Sequence, residues 1–363
     1  MLFLLDSSLI EIDPESDTLN RALTALLLSY QSGHHMLFME MADLRALRVK
    51  LDPSLSSSGR KALQTLYNKL PVYKQAISKI STFVIVYLPK DGENIATRDG
   101  NVWKVPLTYF SPGLLQSTIL GENDRDAELY ILLANQYRLN EKLFLFNVSA
   151  RPRSGGGSGI VRVLSNYLST EISPCLCITD SDKLHPGYGK SATVRGCEEL
   201  AATDSKILEY LLLEEREIEN FLPTELIERS SPHFVNFIEA INEVQEYSTN
   251  MWSYLDIKKG IALDWIEKKD NPTQNFWKCF LDHFRDLRGK CGRCNSDKKP
   301  KMCECSSVPG LGEKVLDRCL DYMKDNPPRL TAGLFNKGAD WEDVGKLSFA
   351  FLLAPSGEAI RKF

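Results

Sequence analysis

The sequence predicts an α/β protein in which a central, mainly parallel sheet is flanked by an N-terminal α/β domain and a mostly helical C-terminal region with a Cys-rich insert. Three observations predict it. Short apolar runs rich in β-branched residues alternate with helical patterns from Met1 to Leu213, the pattern of βαβ units. From Pro223 onward, apolar residues recur at three- and four-residue spacings. Four of the nine cysteines crowd into Cys291–Cys305. At roughly 150 residues per domain the length allows two to three domains. We place them at 1–113, 114–225 and 226–363.

In the first stretch Met1–Leu5, His35–Met39 and Thr82–Leu88 read as strands. Leu19–Tyr30 reads as a helix with Ser16 and Asp17 as N-caps, Ser54–Gly59 as a loop, and Arg60–Lys69 as a second helix. Asp91–Asn101 is turn-rich. Asp6, Glu40 and Asp91 each follow a strand, a spacing that resembles a PIN-type nuclease domain. Acidic residues end strands commonly, so this domain is expected to be a scaffold or a partner-docking module.

The central stretch is the most regular. Ser117–Leu120 is a strand, Asp126–Tyr137 a helix, and Lys142–Val148 a strand. Gly155–Gly159 leads into a helix over Ile160–Leu168, and Cys175–Thr179 is a strand running into Asp180-Ser181-Asp182. Lys206–Leu213 fits a strand or a helix. In the third stretch Phe234–Tyr247, Thr249–Lys268 and Lys314–Lys324 read as helices.

Composition narrows the function classes. With 44 Lys plus Arg against 48 Asp plus Glu, the net charge of −4 argues against a protein that coats nucleic acid or anionic membranes uniformly. No apolar run reaches the roughly 18 residues of a membrane span. Met1–Asp13 lacks the flanking charge and cleavage site of a signal peptide. An odd, clustered set of cysteines suits reduced thiols, so a cytoplasmic location is expected.

Three acidic groups fall at or beyond strand ends: Glu122 with Asp126, then Asp180 with Asp182, then Glu217 with Glu219. Ligands of parallel α/β sheets bind at the carboxyl ends of the strands. Converging carboxylates repel unless a cation neutralises them, and hard oxygen donors select Mg²⁺ or Mn²⁺. In an extended Asp180-Ser181-Asp182 both carboxylates would point the same way. The bland alternative is that each acid caps a turn or a helix.

The segments GENDRDAELY (121–130), GGGSGI (155–160), CLCITDSDK (175–183) and REIENFLP (216–223) follow this order. Together they resemble a TOPRIM domain, the metal-binding fold of primases, topoisomerases and the overcoming-lysogenization-defect nucleases, and most of all defence-associated TOPRIM nucleases. The resemblance covers roughly residues 114–225. It implies a TOPRIM-like central sheet and a Mg²⁺- or Mn²⁺-dependent nuclease, with Glu122, Asp180 and Asp182 as ligands and Asp126, Glu217 and Glu219 as secondary metal positions. The lysine that such nucleases add after the acidic set falls on Lys183, Lys190 or Lys206, with Lys183 directly beside the Asp pair. The resemblance further implies a toxic effector of anti-phage defence acting on DNA or RNA, tRNA included.

Gly189-Lys190-Ser191 is not a P-loop, because Leu184 stands where the first glycine is required and Pro186 removes an N–H. With no ATPase motif of its own, the chain resembles subunits partnered with a separate ATPase protein, and an oligomer is compatible with this. Gly155–Gly159 fits either a phosphate cradle at a helix start or a close-packing turn. Arg151, Arg153, Lys190 and Arg195 are candidate contacts to a nucleic-acid backbone. Cys291-x2-Cys294 and Cys303-x-Cys305 can close a structural Zn²⁺ shell amid basic residues such as Arg293 and Lys298. The remaining cysteines read as small buried hydrophobes. The rival function is a non-catalytic interaction or regulatory protein, with inert acidic groups and the zinc module as its docking element.

Overall fold

The computed structural model describes residues 1–90, 93, 95–203, 205–234, 249–262, 266, 269–278, 307–326 and 340–356. The Cys291–Cys305 insert, residues 235–247 of the helix expected from Phe234, and Asp91 lie outside them. The protein is α/β. It divides into two compact units: Met1–Ile178 with Gly196–Leu211 and Ala339–Phe363, and Thr179–Arg195 with Leu212–Gly338.

In the first unit, β1 (Leu2–Leu5), β2 (Met36–Phe38), β3 (Phe83–Tyr87), β4 (Thr97–Asp99) and β5 (Val102–Pro106) form a sheet in the order β2-β1-β3-β5-β4. All its pairings are parallel except β4 with β5. The three expected strands are present, and α1 (Asp17–Gln31) begins after Ser16 as expected. Around this sheet, α2 (Met41–Leu51) and the β4–β5 hairpin were not foreseen in the sequence. The helix expected to end at Lys69 is α3 (Ser57–Ile77), which runs through Pro71. Buried Leu66, Leu70, Tyr73 and Ile77 anchor it on both sides of that residue, so tertiary packing overrides the proline.

The second sheet has the order β10-β9-β6-β8, built from β6 (Thr118–Gly121), β8 (Arg151–Ser154), β9 (Cys175–Thr179) and β10 (Leu208–Leu212). β6 pairs in parallel with both β8 and β9, with Leu120 opposite Cys177. The helices α4 (Asp124–Asn140), α5 (Ile160–Thr170) and α6 (Ala192–Thr203) connect these strands. Every residue of β9 is buried, as expected for a central parallel strand covered on both faces. Cys175 and Cys177 on one face join Ile160, Leu164 and Tyr167 of α5 and Cys197 of α6 in the core, so these thiols are the small hydrophobes the sequence suggests. The ambiguous Lys206–Leu213 resolves as β10.

One strand expectation is corrected. The Lys142–Val148 run becomes β7 (Phe146–Val148), which does not join this sheet. It pairs antiparallel with β13 (Leu353–Pro355) at the far end of the chain. The sheet takes β8 instead, whose Arg-Pro-Arg sequence carries no apolar alternation.

In the second unit lie α7 (Thr224–Ser230), α8 (Thr249–Trp252), the antiparallel pair β11 (Gly260–Ala262) and β12 (Ser307–Pro309), and α9 (Val315–Asp325). The continuous helix expected over Thr249–Lys268 is broken. Asp256 Oδ1 accepts the Lys259 N–H at 2.7 Å and its carbonyl accepts the Gly260 N–H at 2.6 Å, a local turn that competes with the helix. The helix α10 (Asp340–Leu352) belongs to the first unit and packs on α4. There a Cβ on Gly345 would lie 2.9 Å from Leu133 O, so only glycine permits the approach. No helix among the described residues is long and apolar enough to cross a membrane.

Candidate functional site

The chain leaves β9 at Thr179 and enters Asp180-Ser181-Asp182. Leu213 N–H donates to Thr179 O at 3.0 Å, Ser181 N–H to Glu215 O at 3.3 Å, and Asp182 N–H to Arg216 O at 3.0 Å. The Ser181 hydroxyl adds a bond to Glu215 O at 2.6 Å. This ladder fixes the acidic loop against residues 213–216. It does not leave the loop extended: Asp182 has φ 55°, in the left-handed region, so strand alternation stops before it. That conformation costs a non-glycine residue about 1–2 kcal/mol, and strain of this kind clusters at functional sites. Asp180 is only 9% exposed. Protein around the Asp182 carboxyl raises its pKa, and the Arg216 and Lys258 charges pull it back.

Residues 216–220 are held by the segment 252–260. Arg216 N–H donates to Ser253 O at 2.7 Å, and the Asn220 amide donates to Trp252 O at 2.6 Å and Leu255 O at 3.0 Å. Trp252 Nε1–H returns a bond to Asn220 O at 2.9 Å. These bonds present Lys258 to the acidic pair: its Nζ lies 3.3 Å from Glu217 Oε2 and 3.2 Å from Glu219 Oε2. Arg216 pairs with Asp256 at 3.0 Å and approaches Glu217 at 3.7 Å. Burial pushes the Glu217 carboxyl up, and Lys258 opposes that shift. Burial works against the Lys258 charge, but Glu219 and Glu217, and then Asp180, more than offset it and raise its pKa.

The donor chemistry fits a divalent ion in part. Asp180 and Asp182 offer the hard oxygens that Mg²⁺ or Mn²⁺ prefers. Glu217 and Glu219, expected as secondary metal ligands, instead share the Lys258 ammonium. Among the described residues no group of three or more His, Cys, Asp or Glu side chains is arranged to hold a metal ion.

In the first unit Glu122 directly follows β6. Its carbonyl accepts the Gly157 N–H at 2.9 Å and the Ser154 hydroxyl at 3.4 Å, while Gly155 N–H donates to Gly121 O at 2.8 Å. The glycine loop is therefore a packing turn that pins the Glu122 backbone. Gly156 N–H goes to Ser154 Oγ and Gly159 N–H to Gly156 O, so the N–H groups of Gly155, Gly156, Gly157 and Gly159 all serve protein acceptors. Gly156 and Gly157 adopt φ 68° and 63°, and a Cβ on Gly155 would fall 2.4 Å from Ile160 Cβ.

The other expected site residues fall as follows. Asp126 is buried at the first turn of α4, where its Oδ2 accepts the Asn123 N–H at 2.8 Å as a cap. Arg151 and Arg153 both pair with Glu171. Arg151 also reaches Thr118 Oγ1 at 2.9 Å, and Arg153 lies 5.4 Å over the Tyr167 ring. Lys183 is half-buried beside the Asp pair, Lys190 and Arg195 are exposed, and Lys206 Nζ donates to Glu171 O at 2.6 Å. At the N-terminal sheet Asp6 caps the following 3-10 turn, and Glu40 pairs at the surface with Lys74.

Lys258, Arg216 and Asp256 complete the charged group and were missed in the sequence. The one available signal was Gly260 inside an apparent helix, which marked a turn rather than a helical face. Comparison of the chain with protein-family models, with curated proteins and with solved structures finds no match.

Proposed function

We propose that the protein is a TOPRIM-type, Mg²⁺- or Mn²⁺-dependent nuclease that hydrolyses phosphodiester bonds. One observation carries the reading: the strained Asp180-Ser181-Asp182 loop at the end of β9 is tied by hydrogen bonds to 215–216, next in sequence to Glu217 and Glu219, whose buried charge is offset by a fixed lysine. Asp180 and Asp182 would hold the ion; Glu122 is named as a further ligand by the TOPRIM resemblance alone. When bound, the ion polarises the scissile phosphate and activates water. Lys258, fixed by Glu217 and Glu219, supplies a positive charge for an incoming phosphate. Asp126 and the Arg151–Arg153 pair support the fold rather than the substrate in this scheme.

By the same resemblance the protein is a toxic effector of anti-phage defence, kept quiet by a separate ATPase partner, with structural zinc in the Cys291–Cys305 insert. Lys258 filling the space between Glu217 and Glu219 favours a second reading, a non-catalytic interaction protein whose acidic group is self-neutralised. Incubating the purified protein with plasmid DNA and with total tRNA, with and without Mg²⁺ or Mn²⁺, separates the two. Metal-dependent cleavage of either substrate supports the nuclease. Intact substrates under every condition support the interaction protein.

A further inference from the structure

The segment leaving the acidic loop is built unlike an ordinary surface loop. Leu184 is buried and its carbonyl accepts the Trp277 indole N–H at 2.7 Å. His185 is buried too, its ring 6.2 Å from that of Phe276 and its Nδ1 accepting the Gly187 N–H at 3.1 Å. The chain then turns back, with Tyr188 N–H donating to His185 O at 3.0 Å. This turn stands the Tyr188 ring edge-on to His185, 5.6 Å away at 81°. Phe276 is backed in turn by Tyr254 at 5.8 Å.

An anchored turn thus carries an aromatic ring to the surface. Tyr188 is 37% exposed, while His185 beneath it is buried. Of the described residues in this unit it is the exposed large hydrophobic side chain, and residues 186–190 around it are all exposed. Cationic residues flank it in sequence, Lys183, Lys190 and Arg195, the last donating to Lys190 O at 2.7 Å. A ring held at a fixed angle loses little rotamer freedom on stacking, and positive charge on either side suits a phosphate chain rather than an apolar partner.

We propose that the Lys183–Arg195 segment is a subsite for an unpaired nucleic-acid strand, with Tyr188 stacking one exposed base and Lys190 and Arg195 receiving the adjoining phosphates. A base inside a duplex does not offer its face, so the substrate region engaged here is single-stranded. This rests on the nuclease reading for its purpose, but binding is measurable without cleavage.

The test is fluorescence anisotropy in EDTA with a labelled single-stranded oligonucleotide of roughly 15 nucleotides, as DNA and as RNA, and with the corresponding duplex. Wild type should prefer the single strand, and Tyr188→Ala should weaken that binding about tenfold while Tyr188→Phe retains it. Lys190→Ala should weaken binding and flatten its salt dependence. Equal binding of strand and duplex, or equal affinity of Tyr188→Ala and wild type, overturns the subsite. Single-strand binding lost in Tyr188→Ala, from a protein that cuts nothing in Mg²⁺, upholds the subsite while the nuclease reading falls. Metal-dependent cutting together with unaltered binding by Tyr188→Ala does the reverse.

Discussion

Lys258 Nζ sits 3.2 Å from Glu219 Oε2, and the Glu219 side chain is only 4% exposed. The ammonium is therefore the counter-charge of a buried carboxylate. Removing one partner of such a pair strands the other charge, which costs about 3–5 kcal/mol. Lys258→Ala should lose that much stability by urea denaturation. Adding Glu219→Gln should recover part of it, because one of the two carboxylates that Lys258 neutralised is then uncharged. Additive losses in the double variant would show that the two residues do not act as a pair.

The pH dependence of stability follows from Glu217. Burial raises its carboxyl above the ordinary value of 4.5, so the folded protein binds its proton more readily than the unfolded chain does. The stabilisation from that proton is fully present below the unfolded pKa and is lost as pH rises through the folded one. Relative to Glu217→Gln, wild type should therefore gain stability as pH falls from 7 toward 4.5, the ordinary carboxyl value. Denaturation midpoints at the two ends of that window check the sign. A gap that stays constant would place the Glu217 pKa at its unfolded value.

Asp180 is the decisive variant for chemistry. Because it is nearly buried, Asp180→Asn keeps its shape better than alanine would and isolates the loss of charge. Metal-dependent cleavage should fall by at least about 100-fold, with the melting temperature little changed. Wild-type cleavage by a folded Asp180→Asn protein would remove Asp180 from the reaction.

Gly155 links a packing constraint to the same activity. Its missing Cβ makes room for Ile160, and the loop it opens holds the Glu122 carbonyl. Gly155→Ala should cost about 1–3 kcal/mol through overpacking and lower cleavage as well. Gly159→Ala, where a Cβ meets nothing within 4 Å, should change neither. Equal effects at both positions would deny the loop its positioning role.

If Cys291, Cys294, Cys303 and Cys305 hold zinc, elemental analysis should find about one Zn per chain in protein purified without chelator. Cys294→Ser should then lose the metal and melt earlier while leaving cleavage intact. Metal-free wild type of normal stability would leave the thiols as free cysteines.

What was readable from the sequence is what neighbours along the chain decide. The apolar run Cys175–Thr179, the helical period after Gly159 and the acids at the strand ends are local patterns, and β9, α5 and the place of Asp180 just after β9 follow from them. The left-handed Asp182 was not readable, because its N–H bonds to Arg216 O, a partner far from it in sequence. Nor was Lys258, which meets Glu217 and Glu219 through a turn set by Asp256 rather than through any sequence period. The pairing of β13 with β7 has the same origin: each is a three-residue strand too short to declare a partner by its own pattern. Local periodicity determined the elements and put acids at their ends. Non-local packing decided which lysine neutralises them, because the free energy of a buried charge depends on what the folded chain brings to it and not on its neighbours in sequence.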